Sequence, residues 1–192
     1  MTSSSSSMAV KKIHPKKFAL WVGLTSVVML FAALTSAYIV RRSAGNWQDF
    51  ALPSAFFYST AAILASSVAL HLAYKSYLAA KVTAFKLLLS LGFVLGITFV
   101  ALQYQGWLQL GDIGIFVATN QSASFVYLIT AFHVAHVVGG IAALVVAMVY
   151  GLRKKYEDIT PKRKLRLELI FTYWQFVDIL WVYLLLFFLS QQ

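Results

Sequence analysis

The chain has 192 residues, 60% of them hydrophobic and only 11% charged, whereas soluble globular domains carry roughly a quarter charged residues; an ordinary water-soluble fold is excluded. Sixteen Lys and Arg against six Asp and Glu leave a net charge of +10, but the basic residues lie between apolar runs and form no soluble patch, so they do not imply a nucleic-acid partner. Cysteine is absent, which excludes disulfides, thiolate metal sites, thiol nucleophiles and Cys-attached haem or iron–sulfur clusters within the chain.

Residues 1–16, "MTSSSSSMAVKKIHPK", read as a disordered Ser/Lys-rich cytoplasmic tail ahead of a single five-helix transmembrane domain over 17–192. The basic flank looks like that of a secretory signal, but the apolar stretch behind it is about twice the usual signal length, so the first helix is expected to be retained. Candidate spans follow at Phe18–Val40, Pro53–Ala79, Phe85–Gln103, Ser122–Gly151 and Glu168–Leu189, each near or above the roughly 20 helical residues that cross a hydrocarbon core of about 30 Å. No stretch alternates with the period of a transmembrane strand, so the fold class is all-α, a polytopic membrane bundle. The segment "QGWLQLGDIGIFVATNQSAS" after the third span, with Trp107 and several glycines, reads as an interfacial lid.

The basic residues set an expected orientation. Lys11, Lys12, Lys16 and Lys17 precede the first span; Lys75, Lys81 and Lys86 flank the second connection; Arg153, Lys154, Lys155, Lys162, Arg163, Lys164 and Arg166 fill the fourth. Only Arg41 and Arg42 fall on the other side. The positive-inside rule therefore puts the N-terminus in the cytoplasm and the C-terminus in the periplasm of a bacterial inner membrane. Small residues recur every four positions, Ala61, Ala65 and Ala69 in the second span and Gly92 and Gly96 in the third, as helix packing in lipid favours.

Four polar residues lie deep in the last two spans: His133 and His136, then Gln175 and Asp178. A buried ionisable group in lipid costs about 2.5 kcal/mol or more, so these should face protein. At 1.5 Å per residue, His133 and Asp178 share one depth, about 14 to 15 Å above the inner face, and His136 and Gln175 another, about 9 to 10 Å. Each pair is spaced i, i+3, which puts both members on one helix face. The expectation is an antiparallel two-rung ladder, His133 to Asp178 and His136 to Gln175, with Gly139 and Gly140 allowing close approach.

Other chemistries fit these residues less well. A haem held by two imidazoles needs one on each face, but His133 and His136 share a helix and His71 lies at the inner end of the second. His133, His136 and Asp178 could supply three metal ligands, though a catalytic zinc would also need an open, water-accessible position. A proton relay needs stations leading to both surfaces, and none is visible in the outer half.

The same residues carry a family resemblance. "YLITAFHVAHVVGGIAAL" and "ELIFTYWQFVDILWVYLLLF" resemble the last two helices of subunit III of the haem-copper (cytochrome c or quinol) oxidases, in the five-helix bacterial form. The matching positions are Thr130, Phe132, His133, His136, Val137, Gly140, Glu168, Tyr173, Trp174, Phe176, Val177, Asp178 and Trp181. "LWVGLTSVVMLFAALTSAYIV" is similar to the family's opening helix. The chain departs from the pattern at Gln175, where the family has His, at Ala131 in place of Gly, and at Val27, where a glutamate usually follows the serine.

The resemblance implies an accessory subunit without catalytic, metal or cofactor-binding residues of its own. It would stabilise catalytic subunit I, hold phospholipid and support proton uptake during oxygen reduction. Partners implied are subunits I and II, membrane lipid and a larger respiratory supercomplex, with haem and copper in the partner subunits. Glu168, Tyr173, Trp174 and Trp181 count as family-motif residues, and Arg41, Arg42, His71 and Arg166 are candidate contacts for lipid headgroups. The alternatives are subunit III of a quinol oxidase, a small membrane transporter, or a b-type haem reductase.

Overall fold

A computed structural model describes residues 14–45, 47–153 and 160–191. Most of the expected N-terminal tail, and Lys154 and Lys155 of the fourth connection, lie outside the described residues. The elements are α1 Pro15–Ser43, α2 Ser54–Leu78, α3 Val82–Asp112, α4 Gln121–Arg153 and α5 Pro161–Ser190. All five are long and apolar enough to cross a membrane.

Local chemistry sets the helix limits. Pro15 and Pro161 open α1 and α5 at first-turn positions, where proline's missing N–H costs no hydrogen bond and its fixed φ suits the helix. The His14 ring Nδ1 accepts from the Lys16 amide at 3.2 Å, and α1 closes with Arg41 and Arg42 in its last turn, where cations complement the helix dipole. Ala80, at φ 55°, makes the tight reversal between α2 and α3, and Gly114, at φ 77°, turns the chain out of α3.

Helices α2 and α3 form an antiparallel pair, with α4 beside α3 and α5 against both α2 and α4. Among the described residues, α1 approaches closely only α4 and α5. It buries the stripe Leu24, Phe31, Thr35 and Tyr38 and leaves most of its surface outward. The outer face of the bundle is apolar: Ile179 is 68% exposed and Leu87 67%. Such a surface suits lipid, because backbone groups satisfied within helices leave only side chains to be solvated.

Two sequence expectations are corrected. The supposed lid is helical as far as Asp112, and only residues 113–120 connect α3 to α4. Gly106 does not end the helix because its lack of a side chain is used in packing: a Cβ there would lie 2.3 Å from Phe56 Cε1. Of the alanine stripe of α2 only Ala69 is buried; Ala61 and Ala65 are exposed, and Ser59, Ile63, Ser66 and Leu70 fill the packing face with it. Gly92 and Gly96 do face the interior, against Leu70 and Trp174.

Candidate functional site

The bundle centre is built by α5 and what surrounds it. Trp174 of α5 lies between glycines on two other helices. A Cβ on Gly96 of α3 would meet its Cη2 at 2.6 Å, and one on Gly140 of α4 its Cε3 at 3.0 Å. Tyr173 takes the adjoining position and donates from its hydroxyl to the His136 carbonyl at 3.0 Å. The close approach expected of the Gly139–Gly140 pair is thus present, with Tyr173 Oη 3.7 Å from a Cβ on Gly139.

Because these two aromatic side chains occupy the face of α5 turned to α4, Gln175 and Asp178 point elsewhere. Gln175 Nε2 donates to the Ser67 carbonyl of α2 at 3.1 Å. Asp178, buried, lies beside the Ser67 side chain, and its Oδ1 has no partner among the described residues. One turn further along, Trp181 Nε1 donates to Thr60 Oγ1 at 2.8 Å. The polar ladder therefore runs between α5 and α2, and neither rung expected between α4 and α5 is formed.

The two histidines are held differently. His133 is completely buried, and neither ring nitrogen has a hydrogen-bond partner among the described residues. Its ring packs 5.1 Å from Trp181, 5.8 Å from Phe99 and 6.3 Å from Phe31, between centroids. His136 is half-buried; its Nδ1 lies 2.7 Å from the Phe132 carbonyl of the preceding turn and its ring stands edge-on to Phe31 at 5.7 Å. Among the described residues no group of three His, Cys, Asp or Glu side chains is placed to hold a metal ion.

Sequence reasoning missed the α2 partners, although a signal was present. Ser59 and Ser66 are seven apart, as are Thr60 and Ser67, and each pair makes one face of the helix polar. The first pair serves α3: Gln103 Nε2 donates to Ser59 Oγ at 2.8 Å, and Ser66 Oγ donates to the Gly92 carbonyl at 2.7 Å. The second pair serves α5. Thr60→Val, nearly isosteric, is expected to lower bundle stability by about 1 kcal/mol by stranding the Trp181 N–H, and Thr60→Ser to change it little. Unfolding in detergent followed by tryptophan fluorescence measures both, and equal stability of all three chains would contradict the ladder.

The remaining candidates lie toward the ends of the bundle. Glu168 forms a salt bridge with Lys17, joining α5 to α1 at one end. At the other, Arg42 donates to Gln191 Oε1 at 3.1 Å and reaches Asp49 Oδ1 at 3.4 Å, with Arg41 half-buried beside it. His71 is exposed on α2 and Arg166 on α5. Ser26 is exposed and back-bonds to the Val22 carbonyl, while Val27 packs against the core, so the position after the serine is apolar here.

Five apolar helices whose interior polar groups mostly bond one helix to another define a polytopic membrane protein built for packing. Comparison with known proteins narrows the class. The family model described as cytochrome c oxidase subunit III matches residues 7–190, and the chain belongs to that family. Relatives include a probable cytochrome c oxidase subunit 3 of Nocardia farcinica, 29% identical over 171 residues, covering 84% of this chain and 80% of the relative. The cytochrome c oxidase subunit 3 of Corynebacterium diphtheriae is 28% identical over 169 residues, and a probable one of Mycobacterium tuberculosis 27% over 166, with the same shares covered.

Proposed function

We propose that the chain is the accessory, non-redox subunit III of a bacterial cytochrome c oxidase, docked on subunit I, near subunit II and within a larger respiratory assembly. The observation that carries this reading is the family match over nearly the whole chain. The interior chemistry is consistent with it: Trp174, Tyr173, Trp181 and Gly140, all family-motif positions, are spent on joining helices. The fully buried His133 ring is packed among three aromatic side chains drawn from three helices. Electron transfer and oxygen chemistry then belong to the partner subunits, and this chain stabilises subunit I, holds phospholipid and sustains proton uptake.

Lipid headgroups are assigned to the helix ends. Arg41 and Arg42 serve one end and Arg166 the other, where basic side chains reach phosphate, and His71 stands on the outward face of α2. The N-terminus is assigned to the cytoplasm from the bias of Lys and Arg. Since the chain has no cysteine, one introduced at Ser190 should react with a membrane-impermeant maleimide in spheroplasts and one at Lys81 should not.

Purification of the tagged chain from its native membrane in mild detergent tests the main reading. The expected result is a complex with a haem-bearing polypeptide and cytochrome c oxidase activity, and no Soret band once the chain is isolated. A Soret band that stays with the isolated chain would favour the reductase, and purification without any haem partner would reject the oxidase.

A further inference from the structure

We infer that His136 is a hydrogen-bond acceptor on an outward face of α4, where a transmembrane helix of a partner subunit docks and supplies the donor. The inference rests on the oxidase reading and adds to it the place where that partner lies.

The first step is the tautomer. His136 Nδ1 lies 2.7 Å from the Phe132 carbonyl oxygen, which can only accept, so Nδ1 carries the hydrogen. The other nitrogen, Nε2, is left with a lone pair and no donor among the described residues. Nor is it among the enclosed side-chain atoms that lack a partner; on this half-buried residue it opens onto the bundle surface.

Depth decides what can reach it. His136 lies near the middle of α4, about 22 Å along the axis from Gln121 and about 25 Å from Arg153 at 1.5 Å per residue. Headgroups stay near the interfaces of a hydrocarbon core about 30 Å thick, and acyl chains carry no donor. An acceptor at this depth on an outer face matches a polar side chain of another helix, since polar groups in membranes serve as interhelical glue.

The surroundings allow that approach. Ala135 and Gly139, one on each side of His136 in the sequence, are exposed and let a second backbone come close. Phe132, 41% exposed, supplies an apolar shoulder one turn away. Phe31 steadies the imidazole from α1, and the Tyr173 hydroxyl already occupies the His136 carbonyl, so the ring nitrogen alone is left to bind outward.

The test uses the whole oxidase in its native membrane. His136→Phe keeps a ring for the Phe31 edge contact and removes the acceptor; His136→Gln restores one. After a stringent detergent wash, recovery of the haem-bearing partner with His136→Phe is expected to fall about three- to tenfold, as loss of one interhelical hydrogen bond would cause. His136→Gln should recover most of it.

A photoreactive amino acid at Ala135 supplies a readout that does not depend on the variant's stability. Crosslinking to a partner polypeptide supports the inference. Crosslinking to lipid alone, or undiminished recovery with His136→Phe while the unaltered chain still brings down its partner, overturns it. If the unaltered chain brings down no partner, it is the oxidase reading that fails.

Discussion

Trp181→Ala is expected to be the most damaging truncation in the bundle, costing about 3 to 5 kcal/mol. The side chain is fully buried and meets Phe56, Phe99 and His133 at centroid distances of 5.8, 5.4 and 5.1 Å. Its removal would leave a large void where α2, α3, α4 and α5 converge and would also free the Thr60 hydroxyl. In lipid this void matters as much as in water, because close packing, with no hydrophobic drive behind it, is what holds the helices together. Trp181→Phe keeps most of the volume and should cost clearly less. Unfolding midpoints in detergent report both, and a Trp181→Ala chain within about 1 kcal/mol of the original would show that the bundle is not organised around this residue.

The second large effect comes from adding atoms. Gly96→Val should destabilise by about 3 kcal/mol, because the first added carbon already falls 2.6 Å from the Trp174 ring. That ring cannot retreat, since Gly140 limits it on the α4 side. Gly140→Ala should be milder, the nearest ring atom lying 3.0 Å away. A double variant in which Trp174→Leu makes room should recover part of the Gly96→Val loss. Independent, additive losses in the double-mutant cycle would exclude the wedge.

The spans were legible because hydropathy over about 20 residues is what the bilayer selects. The end of α3 was not, because Gly106 and Gly111 look like helix breakers until Phe56 is seen against the first of them. The polar residues were legible as a group, but their partners were not. Depth along the axis follows from counting residues, whereas rotation about it depends on which bulky side chains claim which face. Tyr173 and Trp174 claimed the face toward α4, and Gln175 and Asp178 were left to α2. The seven-residue repeat of Thr60 and Ser67 was the sequence trace of that choice. His133 carried no such trace, since its surroundings are aromatic rings drawn from three helices.

The neighbours of α1 have a bearing on synthesis. Among the described residues its close companions are α4 and α5, made after α2 and α3, so the ribosome adds the 77 residues between Ser43 and Gln121 before that docking can begin. At about 5 to 20 residues per second that is a wait of roughly 4 to 15 seconds. A helix that hides little more than one narrow stripe tolerates such solitude in the bilayer, and the Lys17 to Glu168 clasp can close only when the final segment arrives.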